Sequence, residues 1–401
     1  MLTKPSGSSA QSGFVLFSYG FRPFFLLAGL YALVPTGTVY LALTLGQWPE
    51  AAVPLFAWHG HELLFGFVAA AVAGFLLTAV PTWTGTRAVS GIPLICLVLL
   101  WLAGRVTSWP WLQTPNVFSQ ALSVAFFPAL AVAVAIPLIR AKNFRNLPFI
   151  LLLMLLFLGD LAFHAQYLGW IEGQTFDGRR LTINTVMLMI VVVGGRIIPA
   201  FTRNALALMQ RDVRIRTQPM IDTAALVSVV SVLLGDLFVT DSVLTGLLAA
   251  LSAALLLLRL TGWGSLRTLD VPLLWVLHLG SCWLIVALVL KALWLLGGFG
   301  WAMNWMHAFT VGTFGTMILG VMTRVALGHT GRPLEISRAV VISYVLVSVA
   351  ALIRIFGPWL APDRYVGLLT ASVFVWIAAF AIFLVIYIPI LIRPRVDGKV
   401  G

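Results

Sequence analysis

The sequence predicts an all-α polytopic membrane protein of about twelve transmembrane helices. Three observations carry that reading. Charged residues are 9% of the 401-residue chain and hydrophobic ones 61%, with a mean hydropathy of +1.02; a soluble domain carries about 25% charged residues. Apolar runs of roughly 20 residues recur from end to end, the length a helix needs to cross a bilayer. The net charge of +12 is concentrated in alternate loops, which is the pattern of membrane topology and excludes a nucleic-acid partner.

The apolar runs place spans near 24–45, 55–80, 91–108, 117–139, 147–170, 181–202, 220–239, 242–260, 271–296, 304–327, 338–356 and 365–392. The loops between them are short, so residues 1–401 read as one transmembrane domain with no soluble domain and no linker. The glycines and prolines inside several spans are tolerated in membrane helices when neighbours satisfy the freed backbone groups. Cys96 and Cys282 both fall inside spans and are not expected to form a disulfide.

Orientation follows from the basic residues. The N-terminal side and the loops after even-numbered spans hold Lys4, Arg22, Arg87, Arg140, Lys142, Arg145, Arg203, Arg211, Arg214, Arg216, Arg259, Arg267, Arg332, Arg338, Arg393, Arg395 and Lys399. The opposite side holds Arg105, Arg179, Arg180, Lys291, Arg354 and Arg364. The positive-inside rule then puts both termini, 1–20 and 393–401, in the cytoplasm. Trp58, Trp83, Trp305 and Tyr19 fall near span ends and read as interfacial belt residues.

Span ten echoes span two without a gap. With His61 set against His307, Gly66 meets Gly312, Gly74 meets Gly320, and Thr84-Gly85 meets Thr330-Gly331. Span six joins at its end, where Thr202 shares the column of Thr84 and Thr330. Three four-helix units about a pseudo-threefold axis, as in haem–copper oxidases, is one reading, and chance among glycine-rich helices is the other. Small residues let helices approach closely or lie against a flat ligand, so Gly66, Gly74, Gly312 and Gly320 are expected to leave room for a macrocycle.

The candidate chemistry lies in the histidines. Ionisable groups inside a bilayer are energetically costly and usually functional, and imidazoles in an apolar bundle suggest ligation of haem or copper. By span direction His59, His61, His164 and His307 fall at similar depth on the outer side, His278 in the inner third, and His329 at the inner surface. A single intramembrane histidine is more often a helix-contact residue; four at one depth point to a metal centre. His59 and His61 are about 200° apart around a helix and face different sites. Glu62 lies one turn from His59, and Asp160 one turn from His164, as a carboxylate that orients a ligating imidazole does.

The expected arrangement has His61 and His307 as haem ligands and His59 and His164 serving copper or a second metal. His278 and His329 form an inner site. There Arg196 and Arg324, in equivalent columns of spans six and ten, would meet haem propionates or, equally, snorkel to the interface. Glu62 and Asp160 are the candidate proton carriers of catalysis. With no CxxCH motif in the chain, any haem is non-covalent haem b.

The sequence resembles the NnrS family of bacterial membrane proteins over nearly its whole length. The resemblance rests on Gly20-Phe-Arg-Pro-Phe-Phe25, Trp58-His-Gly-His-Glu-Leu-Leu-Phe-Gly-Phe67, Gly74 through Gly85, Phe163-His164, Gly195 through Asn204, Trp275-Val-Leu-His-Leu279, and His307 through Leu334. All six histidines fall inside these stretches. Mild departures occur at Leu63-Leu64 and at Pro81-Thr82 before Trp83, and neither touches a candidate ligand.

The resemblance implies a haem- and copper-containing protein of the bacterial inner membrane, tied to nitric oxide metabolism and nitrosative stress; nitric oxide enters by resemblance alone. Reduction of nitric oxide to nitrous oxide, with quinol or another electron donor, is the enzymatic reading. Binding of nitric oxide, haem or copper without turnover is the second. A transporter of a metal or small anion is the third.

Overall fold

The alternation of long apolar runs with short polar loops builds an all-helical bundle. The computed structural model describes residues 15–50, 53–112, 117–171, 177–211 and 215–399; Lys4 and Arg214 lie outside the described residues. We number the helices α1 (Phe21–Leu45), α2 (Leu55–Thr84), α3 (Ile92–Thr107), α4 (Val117–Arg140), α5 (Pro148–Tyr167) and α6 (Gly178–Leu208). They continue as α7 (Pro219–Phe238), α8 (Val243–Thr261), α9 (Pro272–Gly297), α10 (Gly300–His329), α11 (Arg338–Leu360) and α12 (Tyr365–Ile392). Eleven of them are long and apolar enough to cross a membrane; α3, at 16 residues, is shorter. Each coincides with one of the twelve expected spans, so the chain is a multi-pass membrane protein.

The helix ends follow local chemistry. Proline stands in the first turn of α3, α5, α7 and α9, where its missing N–H leaves no bond unmade. Asp177 caps α6 by accepting from the Arg179 amide at 2.9 Å, and Ser242 caps α8 through the Thr245 amide at 3.1 Å.

α1 packs against α2 and α12, α9 against α8 and α10, α11 against α10 and α12, and α5 against α6. Leucine, valine and phenylalanine side chains such as Leu41, Val385 and Phe374 remain exposed on the outer surface, as lipid-facing residues do. Cys96 and Cys282 are free.

The echo between α2 and α10 extends into three dimensions. Both helices change from α to the wider π winding directly after the aligned histidine, over Glu62–Val68 in α2 and Ala308–Gly315 in α10. Both reach a Thr-Gly pair whose threonine hydroxyl bonds back to a carbonyl four residues earlier, Thr84 to Val80 and Thr330 to Ala326, each at 2.7 Å. The glycine that follows is left-handed in both, φ 67° at Gly85 and 72° at Gly331, a conformation that favours glycine at a helix end. α6 shares less: it runs on past Thr202 to Leu208, and the Thr202 hydroxyl meets His278 at 3.0 Å.

Two expectations are corrected here. The glycines of the echo do not leave room for a macrocycle, because neighbouring side chains occupy the space. A Cβ at Gly74 would stand 2.6 Å from the Phe25 ring, at Gly312 2.7 Å from Trp283, and at Gly320 2.8 Å from Val276, and one at Gly66 would overlap Tyr31. They are notches for close helix packing. Nor are Trp58 and Trp305 belt residues. Both are buried: Trp58 donates from Nε1 to the Ser108 carbonyl at 2.8 Å, and Trp305 takes the Lys291 ammonium 4.4 Å over its ring.

Candidate metal centre

The site forms where α2 begins and α5 ends. His61 and Glu62 mark the change from α to π winding, and Asp160 and His164 lie one turn apart on α5. All four side chains are buried, between 0% and 5% exposed, so every polar atom among them must find a partner or a ligand. His61 bridges two carboxylates: Nδ1 lies 2.7 Å from Glu62 Oε1, and Nε2 lies 2.9 Å from Asp160 Oδ1. One ligand atom from each of His61, Asp160 and His164 falls within 4.8 Å of the others.

His164 completes the set in an informative way. Its Nε2 comes within 3.2 Å of Asp160 Oδ1, yet the angle is not that of a hydrogen bond and this buried nitrogen has no hydrogen-bond partner among the described residues. An imidazole nitrogen aimed at a carboxylate without bonding to it is the orphan a metal ion would satisfy. Two imidazoles and one carboxylate suit copper and non-haem iron alike.

Behind the three donors stands a second layer of contacts. Arg105 on α3 donates from Nη1 to Glu62 Oε1 at 2.8 Å and from Nη2 to Ser123 Oγ at 3.1 Å. The Tyr31 hydroxyl donates to Glu62 Oε2. Glu62 is thus held from both oxygens, and it accepts the Nδ1–H of His61. That bond fixes the ring orientation and leaves Nε2 toward Asp160, the usual way a carboxylate prepares a ligating histidine. Phe163 stacks on the His61 ring at 4.3 Å and Phe65 lies 4.9 Å away, so the ring has little freedom to turn.

Residues 15–395 match the family model described as NnrS protein. The chain belongs to the NnrS family. Its members are membrane proteins implicated in the response to nitric oxide and associated with metal and haem binding, and the buried His61–Asp160–His164 cluster has the donors and spacing to hold a metal ion. No curated protein matches the chain.

The other candidate residues of this NnrS-family chain fall elsewhere. His59 and His307 take no part in the set that joins His61 to His164. Glu62 turns to His61 and not to His59, one turn back; its oxygens are taken by His61, Arg105 and Tyr31. His278 is bonded through both ring nitrogens, Nε2 to Thr202 Oγ1 at 3.0 Å and Nδ1 to Ser265 Oγ at 2.9 Å. His329 packs its ring against Tyr19 and Phe21 at 5.7 and 5.8 Å. Arg196 donates to Asn146 Oδ1 at 2.6 Å, and the Arg324 guanidinium lies 4.0 Å over the Phe201 ring. These contacts give His278 and His329 separate surroundings.

A metal ion fits the His61–Asp160–His164 donors. A haem does not fit at His61: its ring is stacked on Phe163, its Nε2 faces Asp160, and the notch at Gly66 is filled by Tyr31.

Two groups that hold Glu62 were missed in the sequence. Arg105 carried a signal, since it stands inside a predicted span on the side where basic residues are scarce. Tyr31 carried none; its role depends on α1 crossing α2 at Gly66.

Proposed function

We propose that this protein binds nitric oxide at a metal ion held by His61, Asp160 and His164 in the bacterial inner membrane, and that it removes nitric oxide from the cell. The observation that carries the reading is the orphaned His164 Nε2, buried beside Asp160 and His61. A copper or iron ion bound there supplies a position where nitric oxide coordinates and can be reduced. Nitric oxide is small, apolar and soluble in the bilayer, so a centre walled by apolar helices needs no polar channel. Glu62 orients His61, Arg105 and Tyr31 hold Glu62, and Phe163 and Phe65 keep water from the ring.

Reduction to nitrous oxide joins two nitric oxide molecules, consumes two electrons and two protons, and releases water. The electrons would come from a membrane donor of the quinol class. A second reading, binding and sequestration without turnover, is favoured by the engagement of Glu62: each of its oxygens is already bonded, which suits a structural partner better than a proton carrier.

One preparation of the purified protein tests both. Nitric oxide binding should be saturable and absent after metal removal. Consumption of nitric oxide with a reductant, with nitrous oxide formed, would establish the reductase, and stoichiometric binding alone the sequestering protein. Full binding by metal-free protein would overturn both.

A further inference from the structure

Where α7 begins and α8 ends, the surface holds a cavity of about 190 Å³. Arg216, Arg259 and Asp222 are its charged lining, and Thr217, Gln218 and Thr261 add uncharged polar groups. One wall is fixed by backbone. The Arg216 amide, just before α7, donates to the Gly262 carbonyl, just after α8, at 2.9 Å. The two segments approach so closely that a Cβ at Gly262 would overlap the Arg216 carbonyl.

The charges of the lining do not balance. The Arg259 side chain is only 10% exposed. Its Nε donates to Asp222 Oδ1 at 2.5 Å and its Nη1 to the Val191 carbonyl at 3.1 Å. Its third nitrogen, Nη2, lies against Gly195, where a Cβ would overlap it, and the guanidinium stands 5.2 Å over the Trp263 ring. Asp222, the carboxylate of the lining, is thus committed to Arg259. Arg216 has no carboxylate partner among the described residues. Two guanidinium groups against one carboxylate leave the cavity a net charge of +1.

The apolar half of the site is on the same helix. Leu244, Leu247, Leu251 and Leu258 of α8 are each about half-exposed, and steps of three, four and seven residues put them on one helical face. Leu258 ends that stripe and also lines the cavity. A lipid-facing stripe therefore runs into a basic polar cavity at one end of the span. The asymmetry of basic residues places that end in the cytoplasmic leaflet, where anionic lipids gather and basic pockets between helices take their head groups.

We propose that this cavity binds the phosphate head group of an anionic phospholipid, with an acyl chain lying along the leucine stripe of α8. Arg216 supplies the unmatched charge. Arg259 supplies a fixed guanidinium, and Thr217 and Gln218 supply hydrogen bonds to phosphate and glycerol oxygens. Asp222, neutralised by Arg259, leaves a single net positive charge, the complement of one phosphodiester. The site is separate from the His61 centre and does not depend on what that centre does.

The test titrates delipidated full-length protein with phosphatidylglycerol, phosphatidylcholine, glycerol phosphate and inorganic phosphate, and counts bound molecules by native mass spectrometry. Wild type should retain one phosphatidylglycerol in preference to phosphatidylcholine, and should bind the two tail-less probes far more weakly. R216E should weaken phosphatidylglycerol binding about 5- to 30-fold, roughly 1 kcal/mol for each unit of charge changed. R140E makes the same change at another exposed arginine on this side and should bind as wild type does. Should R216E fail to insert, R216Q serves in its place, with wild-type thermal unfolding as the sign of a correct fold. Phosphatidylglycerol held no better than phosphatidylcholine would overturn the proposal, as would R216E or R216Q binding no worse than R140E. Glycerol phosphate or inorganic phosphate bound as tightly as the lipid would overturn it too, by making the occupant a soluble phosphate.

Discussion

Arg105 Nη1 donates to Glu62 Oε1 at 2.8 Å across 43 residues of sequence, and both side chains are buried. The pair closes a chain of contacts from Ser123 on α4 through Arg105, Glu62 and His61 to Asp160 on α5. Four helices thus meet through one buried polar line. The line sets the angle at which His61 approaches Asp160 and His164.

Breaking that pair from one side should be worse than removing it whole. R105L leaves the Glu62 carboxylate buried without its counter-charge, a loss of about 3–5 kcal/mol in buried pairs. The double variant E62L/R105L should recover much of it. Thermal unfolding in detergent measures both, and equal melting temperatures for R105L and wild type would show that the pair holds nothing together.

Glu62→Gln separates support from charge. It keeps size and hydrogen-bonding capacity but loses the anion that Arg105 and His61 share. Metal affinity should fall about 10- to 100-fold, the usual effect of removing a carboxylate that orients a ligating histidine. Metal titration by a competing chelator reads this directly, and wild-type affinity would make Glu62 a bystander.

The glycine notches make a packing prediction. G312A places a methyl against the Trp283 ring and G66A one against Tyr31, and overpacking of this kind destabilises by about 1–3 kcal/mol. G37A, where nothing lies within 4 Å, is the control and should melt with wild type. If all three melt together, the notches are slack.

Much of this arrangement was legible in the sequence, and the limits have physical causes. Period, length and charge located the twelve helices, because in a bilayer each span must satisfy its own backbone. Asp160 and His164 were readable as neighbours because both lie on one α-helical face. The partner of Glu62 was not, because regular α geometry places it beside His59, whereas its direction is set by Arg105 and Tyr31 from two other helices. The pairing of His61 with His164 depends on how α2 and α5 cross, which no local pattern encodes. Trp58 and Trp305 resembled belt residues by position along their spans, and only the packing of Trp58 on Trp48 and Trp109 shows it to be interior.

Orientation is open to direct test. The asymmetry of basic residues predicts that reporters fused at Lys142 and at the C-terminus read cytoplasmic, and one at Gly298 reads periplasmic. The reverse pattern would place the metal centre toward the cytoplasm.

The central claim is that His61, Asp160 and His164 hold a metal ion, and His164→Ala tests it most directly. His164 Nε2 makes one close approach, 3.2 Å to Asp160 Oδ1, while His61 and Glu62 keep the remaining bonds of the network, so the variant is expected to insert and its fold is checked by thermal unfolding alongside. Metal content of purified wild type and His164→Ala, measured by mass spectrometry on matched preparations with X-ray absorption at the metal edge, gives the answer. The account predicts that the variant loses the ion, and that the wild-type spectrum shows nitrogen and oxygen neighbours. Full metal content with an unchanged edge in His164→Ala would contradict it.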